Sequence, residues 1–395
     1  MNQSLALAIT GLLAPWFGGR EPFAGDWESL VSHPDGLLPR ILSNWQRWDA
    51  LWYQHIAMSG YSATDGSIAF YPLFPLLSAA VSHLSGDLVL AELIVAAVAD
   101  VGAMWMLWRL VHLEIASRPG HGDRAMFAGH ERGALMPLLT VLLTAVFPTG
   151  FFLLAPYTES LFLFFTVASF WSMRSGRLWT AGMFGLLASL TRVQGIFLAL
   201  PIGYEAARQS GLIHWLRTRG QGRIDRATLA SGLALLLPAL GMLAFTAYQV
   251  VFLGARQVGL GSQALWGLSL VPPWVAFSSS FGYVARNLGK PSALVEILNG
   301  LTLVGATAIA LAGARRIPPA YSLYVIPSLG LLYFRVMFFS PLMSASRYVL
   351  VVFPCFMIAA SWFAFRPRLA LGWLAVSGAL QLALFQYWVR WGFVA

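Results

Sequence analysis

Long apolar runs recur along the whole chain, and short polar connections separate them. A helix of about 18–25 apolar residues is long enough to cross roughly 30 Å of hydrocarbon. The pattern therefore predicts an all-α polytopic membrane protein with nine full spans, at roughly 3–18, 88–112, 134–154, 157–173, 228–253, 291–313, 317–337, 346–365 and 369–390.

Two further apolar runs do not read as simple spans. Ile68–His83 is short and carries Pro72 and Pro75 near its start, and Leu178–Tyr204 is interrupted at Thr191–Gly195. Irregular backbone is tolerated at membrane depth only where protein shields it from lipid. We therefore expect both runs to be half-inserted helical elements that line a cavity.

The distribution of arginine predicts the orientation. Short basic loops lie on the cytoplasmic side of a membrane. All the arginine-containing connections lie on the same side of the membrane only if neither half-inserted run crosses it fully. This arrangement places the N-terminus inside and the C-terminus outside. The connections concerned are 114–133, 174–177, 205–227, 314–316 and 366–368, and the outward loops are then 19–87, 254–290 and 338–345.

Composition agrees with this picture. Hydrophobic residues make up 58% of the chain and charged residues 10%, which excludes an ordinary soluble domain. The net charge of +9 comes almost wholly from arginine in short loops, so we assign it to orientation and anionic headgroups and expect no nucleic-acid partner. Cys355 is the single cysteine and permits no intramolecular disulfide. We expect one domain, 1–395, made of an outer catalytic loop with amphipathic helices (19–87) and a helical bundle (88–395).

The segment Asn44–Pro75 concentrates charge and aromatic rings where the rest of the chain has few polar groups. Such a combination at a membrane surface suits chemistry on a polar substrate carried by a lipid. We place the active site here. The residues concerned are Arg47, Asp49, His55 and Asp65, interleaved with Trp45, Trp48, Trp52, Tyr53 and Tyr61.

The tryptophan spacing predicts a short interfacial helix. Trp45, Trp48 and Trp52 fall at i, i+3 and i+7 and would form one helical face with the indoles in the headgroups. Asp49 would lie beside that face and look into a cavity. The alternative is an anchoring helix whose Asp49 is merely solvated.

Four segments carry a resemblance to a known family. RWDALWYQHIAMSGY followed by AFYPLFPLL resembles the second GPI mannosyltransferase (phosphatidylinositol-glycan class V) family and its bacterial members, which are C-type membrane glycosyltransferases. Segments 147–164, 187–201 and 344–354 are similar to that family's later motifs, in the same order. The chain departs from the pattern at Gln194, where relatives commonly have Asn, and at Asp65, where we would expect Glu.

The resemblance implies the C-type glycosyltransferase fold and an inverting transfer of a hexose, which we expect to be mannose. The donor would be a polyprenyl-phosphate sugar and the acceptor a hydroxyl of a lipid or glycan. Asp49 matches the outer-loop general base, which must be ionised and within reach of the acceptor proton. The implied setting is the bacterial inner (plasma) membrane, with membrane lipids as neighbours, an outward-facing site and a monomeric enzyme.

A leaving lipid phosphate needs cations or hydrogen-bond donors to neutralise its charge. The chain offers Arg192, Arg335 and Arg347 within or beside apolar runs, where an arginine is costly unless it meets an anion. Arg347 is our first choice for the phosphate, with Tyr348 beside it as a further phosphate-binding candidate; the alternative is a snorkelling arginine. Arg192 is the second choice; its alternative role is a structural ion pair with Glu159.

The remaining site candidates follow from the resemblance and from polarity. Glu159 begins a span, so it either binds hydroxyl groups of the substrate or only favours the helix start through the dipole. The sequence has no histidine cluster with metal-ligand spacing, so we predict no structural zinc. No cofactor is firmly predicted; a divalent cation shared by Asp49 and Asp65 is a weak option. The full set of substrate-binding candidates is Arg47, Trp48, His55, Tyr61, Asp65, Tyr71, Tyr157, Glu159 and Gln194.

A different class of function would use similar features. A flippase or transporter of lipid-linked sugars also needs half-helices, buried arginines and an aromatic mouth. Such a protein distributes polar groups through both halves, whereas this chain concentrates them on one face. A catalytically inactive scaffold is the third hypothesis, and the intact Arg47-Trp48-Asp49 sequence argues against it.

Overall fold

The computed structural model describes residue 31, residues 41–116 and residues 135–394. Helices dominate this part of the chain. We number the α-helices α1 (Asp49–Ser59), α2 (Leu73–Ser85), α3 (Leu88–Ala116), α4 (Met136–Ala145), α5 (Glu159–Arg174), α6 (Leu178–Ser189), α7 (Ala199–Gln209), α8 (Leu212–Arg217), α9 (Arg226–Ala230), α10 (Leu236–Val251), α11 (Pro273–Arg286), α12 (Pro291–Gly313), α13 (Pro319–Tyr333), α14 (Ala345–Leu350), α15 (Phe353–Phe363) and α16 (Pro367–Val389).

Shorter elements connect them. Strands β1 (Leu268–Leu270) and β2 (Arg335–Met337) form an antiparallel pair in which Leu270 lies opposite Arg335. The 3₁₀ helices are Ser67–Ala69, Gly150–Leu153, Val193–Leu198, Ser231–Leu235 and Gly259–Trp266.

Four helical stretches in the described residues are long and apolar enough to cross a membrane, so the protein is a helical membrane protein. They are α3, the continuous stretch Arg226–Val251, α12 and α16. Each matches a predicted span. The number of spans predicted from sequence stays a prediction, and the predicted span at 3–18 lies outside the described residues.

Three predicted spans are not single helices. The run 134–154 is α4 followed by a turn and a 3₁₀ helix, and 317–337 is α13 followed by β2. The run 346–365 divides into α14 and α15, where Pro354 occupies the first turn of α15 and has no N–H for a continuous ladder. These breaks give the chain irregular segments next to the site described below.

The run 178–204 is broken as the sequence predicts. After α6 the backbone turns extended at Arg192, with φ −155° and ψ 149°, and then forms a 3₁₀ helix that leads into α7. Gly195 sits so close to the main chain of Ala188 and Ser189 that a Cβ atom would overlap it. The glycine therefore permits the tight return of the chain.

The two ends of this run lie together. Arg174 Nη1 contacts Glu205 Oε1 at 3.0 Å, and Gln209 Nε2 donates to the main-chain oxygen of Met173 at 2.7 Å. Arg174 also contacts Glu114 at 2.6 Å, at the end of α3. The arginine-rich connections that begin after α3, α5 and α7 therefore start at one end of the bundle.

Helix α5 runs between this end and the site. Its buried residues lie on every face, which is the pattern of a helix enclosed by protein, and it packs against α3 and α6. Glu159 begins the helix and Arg174 ends it, about 22 Å apart at 1.5 Å per residue. The site is thus separated from the arginine-rich end by most of a bilayer's thickness.

Candidate active site

Asp49 is the first residue of α1, and a strained neighbour sets its position. Trp48 precedes the helix with φ 53° and ψ −115°, a region that bulky side chains rarely adopt. The indole of Trp48 is held edge-on by Trp391 at 5.6 Å and Phe393 at 5.1 Å. Its packing against the C-terminal segment therefore fixes the point at which Asp49 enters the site.

The predicted common face of three tryptophans is wrong. The described helix begins at Asp49, so Trp45 and Trp48 lie in the turn before it. Each indole packs against a different part of the protein: Trp45 against Phe385 and Trp388, Trp48 against Trp391 and Phe393, and Trp52 against Phe70 and Trp266. Burial against these aromatic partners is more favourable than an interfacial stripe, and the spacing alone did not reveal the partners.

Asp49 belongs to a buried group of charges. Arg347 Nη1 donates to Asp49 Oδ2 at 2.7 Å, and its Nε lies 3.1 Å from Glu159 Oε1. The same oxygen of Glu159 accepts from Arg192. Glu159 is fully buried, whereas the side chain of Asp49 keeps 25% of its surface exposed. Of the two carboxylates, Asp49 is the one that a substrate can reach.

A third arginine joins this group through Tyr348. The guanidinium carbon of Arg335 lies 4.2 Å from the ring centroid of Tyr348, and that of Arg192 lies 4.5 Å from it. Arg335 Nη2 donates to the main-chain oxygen of Met343 at 2.8 Å. We call Asp49, Glu159, Arg192, Arg335 and Arg347, arranged around Tyr348, the ionic cluster.

Local backbone geometry delivers Arg347 to the cluster. Ser344 precedes α14 with φ 62°, another non-glycine residue in the left-handed region. Ser346 donates from both its N–H and its hydroxyl to the side-chain oxygen of Asn299, which anchors α14 to α12. Strained residues thus lie close to both members of the Asp49–Arg347 pair, Trp48 next to Asp49 and Ser344 three residues before Arg347. Strained backbone of this kind clusters at functional sites, where the surrounding structure holds it in place.

Tyrosine side chains surround the pair. Tyr157 is buried beside Arg347, whose guanidinium carbon lies 5.1 Å from the ring centroid, and its hydroxyl donates to the main-chain oxygen of Arg47. Burial, together with the charges of Asp49 and Glu159, raises the pKa of Tyr53 well above its ordinary value. The Tyr53 hydroxyl therefore stays protonated and remains a hydrogen-bond donor.

His55 and Asp65 form a second, exposed pair. His55 Nε2 lies 3.1 Å from Asp65 Oδ2, and the Ser67 N–H donates to Asp65 Oδ1 at 2.8 Å. Partial desolvation acts to raise the pKa of Asp65, but the hydrogen bonds from Ser67 and His55 hold it below its usual range. Tyr61 adds a hydrogen bond from its hydroxyl to the oxygen of Phe70 at 3.0 Å. These contacts hold the turn that follows α1.

The loop after α10 is bound to the same turn. Trp266 Nε1 donates to the Gly66 oxygen at 3.2 Å, and its ring packs edge-on against Trp52 at 5.1 Å. Gln263 Nε2 donates to the Ala69 oxygen at 2.9 Å. Because β1 follows directly and pairs with β2, this loop connects the turn after α1 to Arg335.

Three further candidates from the sequence also lie outside the ionic cluster or at its edge. Arg47 is occupied by main-chain oxygens, with Nε donating to Val389 at 2.8 Å, and it lies over the Trp391 ring. Tyr71 is buried against Phe245. Gln194 is buried in the 3₁₀ helix that follows Arg192, and its side-chain oxygen has no hydrogen-bond partner within the described part of the chain.

The option of a shared divalent cation has no support from the described contacts. Asp49 is paired with Arg347 and Asp65 with His55. Within residues 41–116 and 135–394, no group of three or more histidine, cysteine or acidic side chains could hold a metal ion.

Sequence reasoning missed one member of the cluster and its setting. The sequence shows Arg335 as an arginine within an apolar run but does not rank it for the phosphate, because nothing near it in the sequence indicates an anion. Its place inside an apolar run was the available signal. The contacts of Trp266 with Trp52 and Gly66 join positions some 200 residues apart and leave no local pattern.

The fold and the site together define a helical membrane protein with an accessible carboxylate and buried arginines at one end of the bundle. Comparison with known proteins gives the family: residues 26–278, well over half of the chain, match the model described as mannosyltransferase (PIG-V), and the chain belongs to this family. That segment includes Asp49, Glu159 and Arg192; Arg335 and Arg347 lie beyond it.

Individual relatives are distant. The chain is 28% identical over 172 residues to GPI alpha-1,6-mannosyltransferase 2 of Mus musculus, covering 41% of this chain and 31% of the relative. It is 26% identical over 166 residues to the protein of the same name from Homo sapiens, with the same coverage. The match thus spans about a third of the length of these curated relatives.

Proposed function

We propose that the protein transfers a sugar, mannose by analogy with its family, from a polyprenyl-phosphate donor to an acceptor hydroxyl at the outer face of the membrane. The observation that carries the proposal is the pairing of Asp49 with Arg347 at 2.7 Å, across 298 positions of sequence. It brings an accessible base next to cations suited to a departing phosphate.

In this mechanism Asp49 accepts the proton of the acceptor hydroxyl while the hydroxyl oxygen attacks the anomeric carbon of the donor. The bond from that carbon to the phosphate oxygen breaks, and its electron pair leaves with the lipid phosphate. Attack and departure on opposite sides invert the configuration. Glu159 takes no proton; it is fully buried and balances Arg192 and Arg347.

The other candidates serve as support for the site. Arg47 ties the segment before Asp49 to the end of α16, and Tyr157 ties it to the start of α5. His55, Tyr61 and Asp65 hold the turn after α1, which forms one wall of the approach for the acceptor. In the same proposal the arginine-rich end faces the cytoplasm, so 178–204 enters and leaves on that side.

The direct test is a transfer reaction. Purified protein is incubated with a short-chain polyprenyl-phosphate mannose and cell lipid extract, and the products are read by mass spectrometry. A hexose added to an extract component, with release of polyprenyl phosphate, supports the proposal. Transport of the lipid-linked sugar into proteoliposomes without any transfer product would refute it in favour of a flippase.

A further inference from the structure

The ionic cluster carries more positive than negative side chains. Glu159 contacts Arg192 and Arg347, and Asp49 contacts Arg347. Arg335 is the third guanidinium, and no carboxylate of the described residues contacts it. Its contacts are the main-chain oxygen of Met343 and the side chain of Tyr348, whose ring it faces and to whose hydroxyl it donates a hydrogen bond. Three cations thus face two anions.

The surplus charge is buried. Arg335 keeps only 7% of its surface exposed. Removing a guanidinium from water is unfavourable unless an anion or several strong acceptors replace the lost hydration. One carbonyl oxygen and one tyrosine side chain, neither of them a carboxylate, replace only part of it. A buried arginine in this condition indicates a site for an anion that arrives from outside the protein.

The position of Arg335 is also fixed in advance. It lies on β2, whose pairing with β1 sets Leu270 opposite it. Its ring partner, Tyr348, is the residue after Arg347 and also contacts Arg192. Arg335 and Arg192 are therefore held on one aromatic side chain, next to the pair that contains Asp49. A planar guanidinium held in this position can donate two parallel hydrogen bonds to two oxygens of a phosphate.

We propose that Arg335, together with Arg192 on the same Tyr348 ring, binds the phosphate of the lipid-linked donor, while Arg347 is committed to Asp49. This inference rests on the proposed function and changes the order of the arginines expected from sequence, in which Arg347 came first. The surplus charge then meets the charge that develops on the phosphate as it leaves.

The test measures binding without transfer. A short-chain polyprenyl phosphate, the leaving group itself, is titrated into purified wild-type, Arg335→Met and Arg335→Lys proteins, and phosphatidylglycerol is titrated in a parallel arm. Arg286→Met is the matched control, since Arg286 is an exposed arginine at the end of α11 in the same outward loop as β1.

Because Arg335→Met loses a charge-assisted contact, its affinity for polyprenyl phosphate should fall about tenfold or more. The affinity of Arg335→Lys should fall less, about threefold, because lysine keeps the positive charge and loses only the planar pair of N–H donors. Arg286→Met should bind as wild type. Phosphatidylglycerol binding with the same affinity and the same dependence on Arg335 would overturn the assignment to the donor.

The outcomes separate the two proposals. If the wild type fails to bind polyprenyl phosphate, the proposed function itself is wrong. If the wild type binds and Arg335→Met binds equally well, only the assignment of Arg335 is wrong. Should Arg335→Met fail to accumulate as folded protein, Arg335→Lys decides, and unchanged affinity in the lysine variant overturns the assignment.

Discussion

Replacing Asp49 by Asn separates the chemistry of the site from its stability. The substitution keeps the shape of the side chain and an oxygen that Arg347 can still contact, but it removes the base. Loss of a general base lowers a rate by about 10²–10⁴-fold, which corresponds to about 3–5 kcal/mol in the activation barrier. We therefore expect sugar transfer by Asp49→Asn to fall by at least about 100-fold.

The cost to folding should be small, and the structure gives the reason. Breaking a buried ion pair by removing one partner costs about 3–5 kcal/mol, because the remaining charge is orphaned. Arg347 is not orphaned here, since its Nε lies 3.1 Å from Glu159. Asp49 is also a quarter exposed, so water screens part of the change. We expect a loss of about 1–2 kcal/mol.

Glu159→Gln is the matched control, since it also converts one acid of the cluster into its amide. Glu159 is fully buried and is the carboxylate that Arg192 contacts. This variant orphans Arg192, so it should lose about 3–5 kcal/mol. Thermal unfolding in detergent compares the stabilities, and turnover of short-chain polyprenyl-phosphate mannose compares the rates. An Asp49→Asn protein with near wild-type turnover, or one as unstable as Glu159→Gln, would refute the assignment of Asp49.

Three further predictions concern the frame of the site. Gly195→Ala should cost about 1–3 kcal/mol or more, because its Cβ overlaps main-chain atoms, whereas Gly305→Ala, with open space around it, should be neutral or slightly stabilising in thermal unfolding. Folding lowers the pKa of Asp65, so the ionised carboxylate contributes stability above about pH 4, and that contribution is lost as the pH falls through the folded pKa. Between about pH 6 and pH 3 the Asp65→Asn protein should therefore lose less stability than the wild type. Parallel curves of stability against pH for the two proteins would contradict this. Cysteines placed at the exposed positions Ser175 and His214 of a cysteine-free protein should both react with an impermeant reagent from the cytoplasmic side only, and labelling of either from outside would refute the hairpin topology.

The sequence predicted those parts of the structure that have a local cause. Four long apolar runs appear as long helices because spanning length is a local property. The break after α6 follows from Gly195, and the division between α14 and α15 follows from Pro354, although we interpreted only the first of these correctly. Runs such as 134–154 were read as single helices because hydropathy does not record where a helix ends inside a protein core.

The contacts within the site have no local cause, and prediction was weaker there. The pair of Arg192 with Glu159 was stated as the alternative to a phosphate role, and the structure contains it. The sequence also named Asp49 and Arg347 separately, but it did not indicate that they touch. Trp391 and Phe393, the aromatic partners of Trp48, lie near the other end of the chain. Without them in view, the i, i+3, i+7 spacing of the tryptophans suggests a membrane-facing stripe.

The Asp49–Arg347 contact has a consequence for reasoning from relatives. The family match ends at residue 278. Asp49, the proposed base, lies within it, whereas Arg347, which contacts Asp49, lies beyond it. Asp49 is presented by a strained residue, Trp48, whose ring is held by the C-terminal Trp391. The orientation of Asp49 therefore depends on two segments that the matched region does not contain. A relative that keeps the Arg-Trp-Asp sequence but lacks an equivalent of Arg347 should still bind the acceptor but should transfer the sugar slowly. Its carboxylate would not be held in a fixed orientation for accepting the proton.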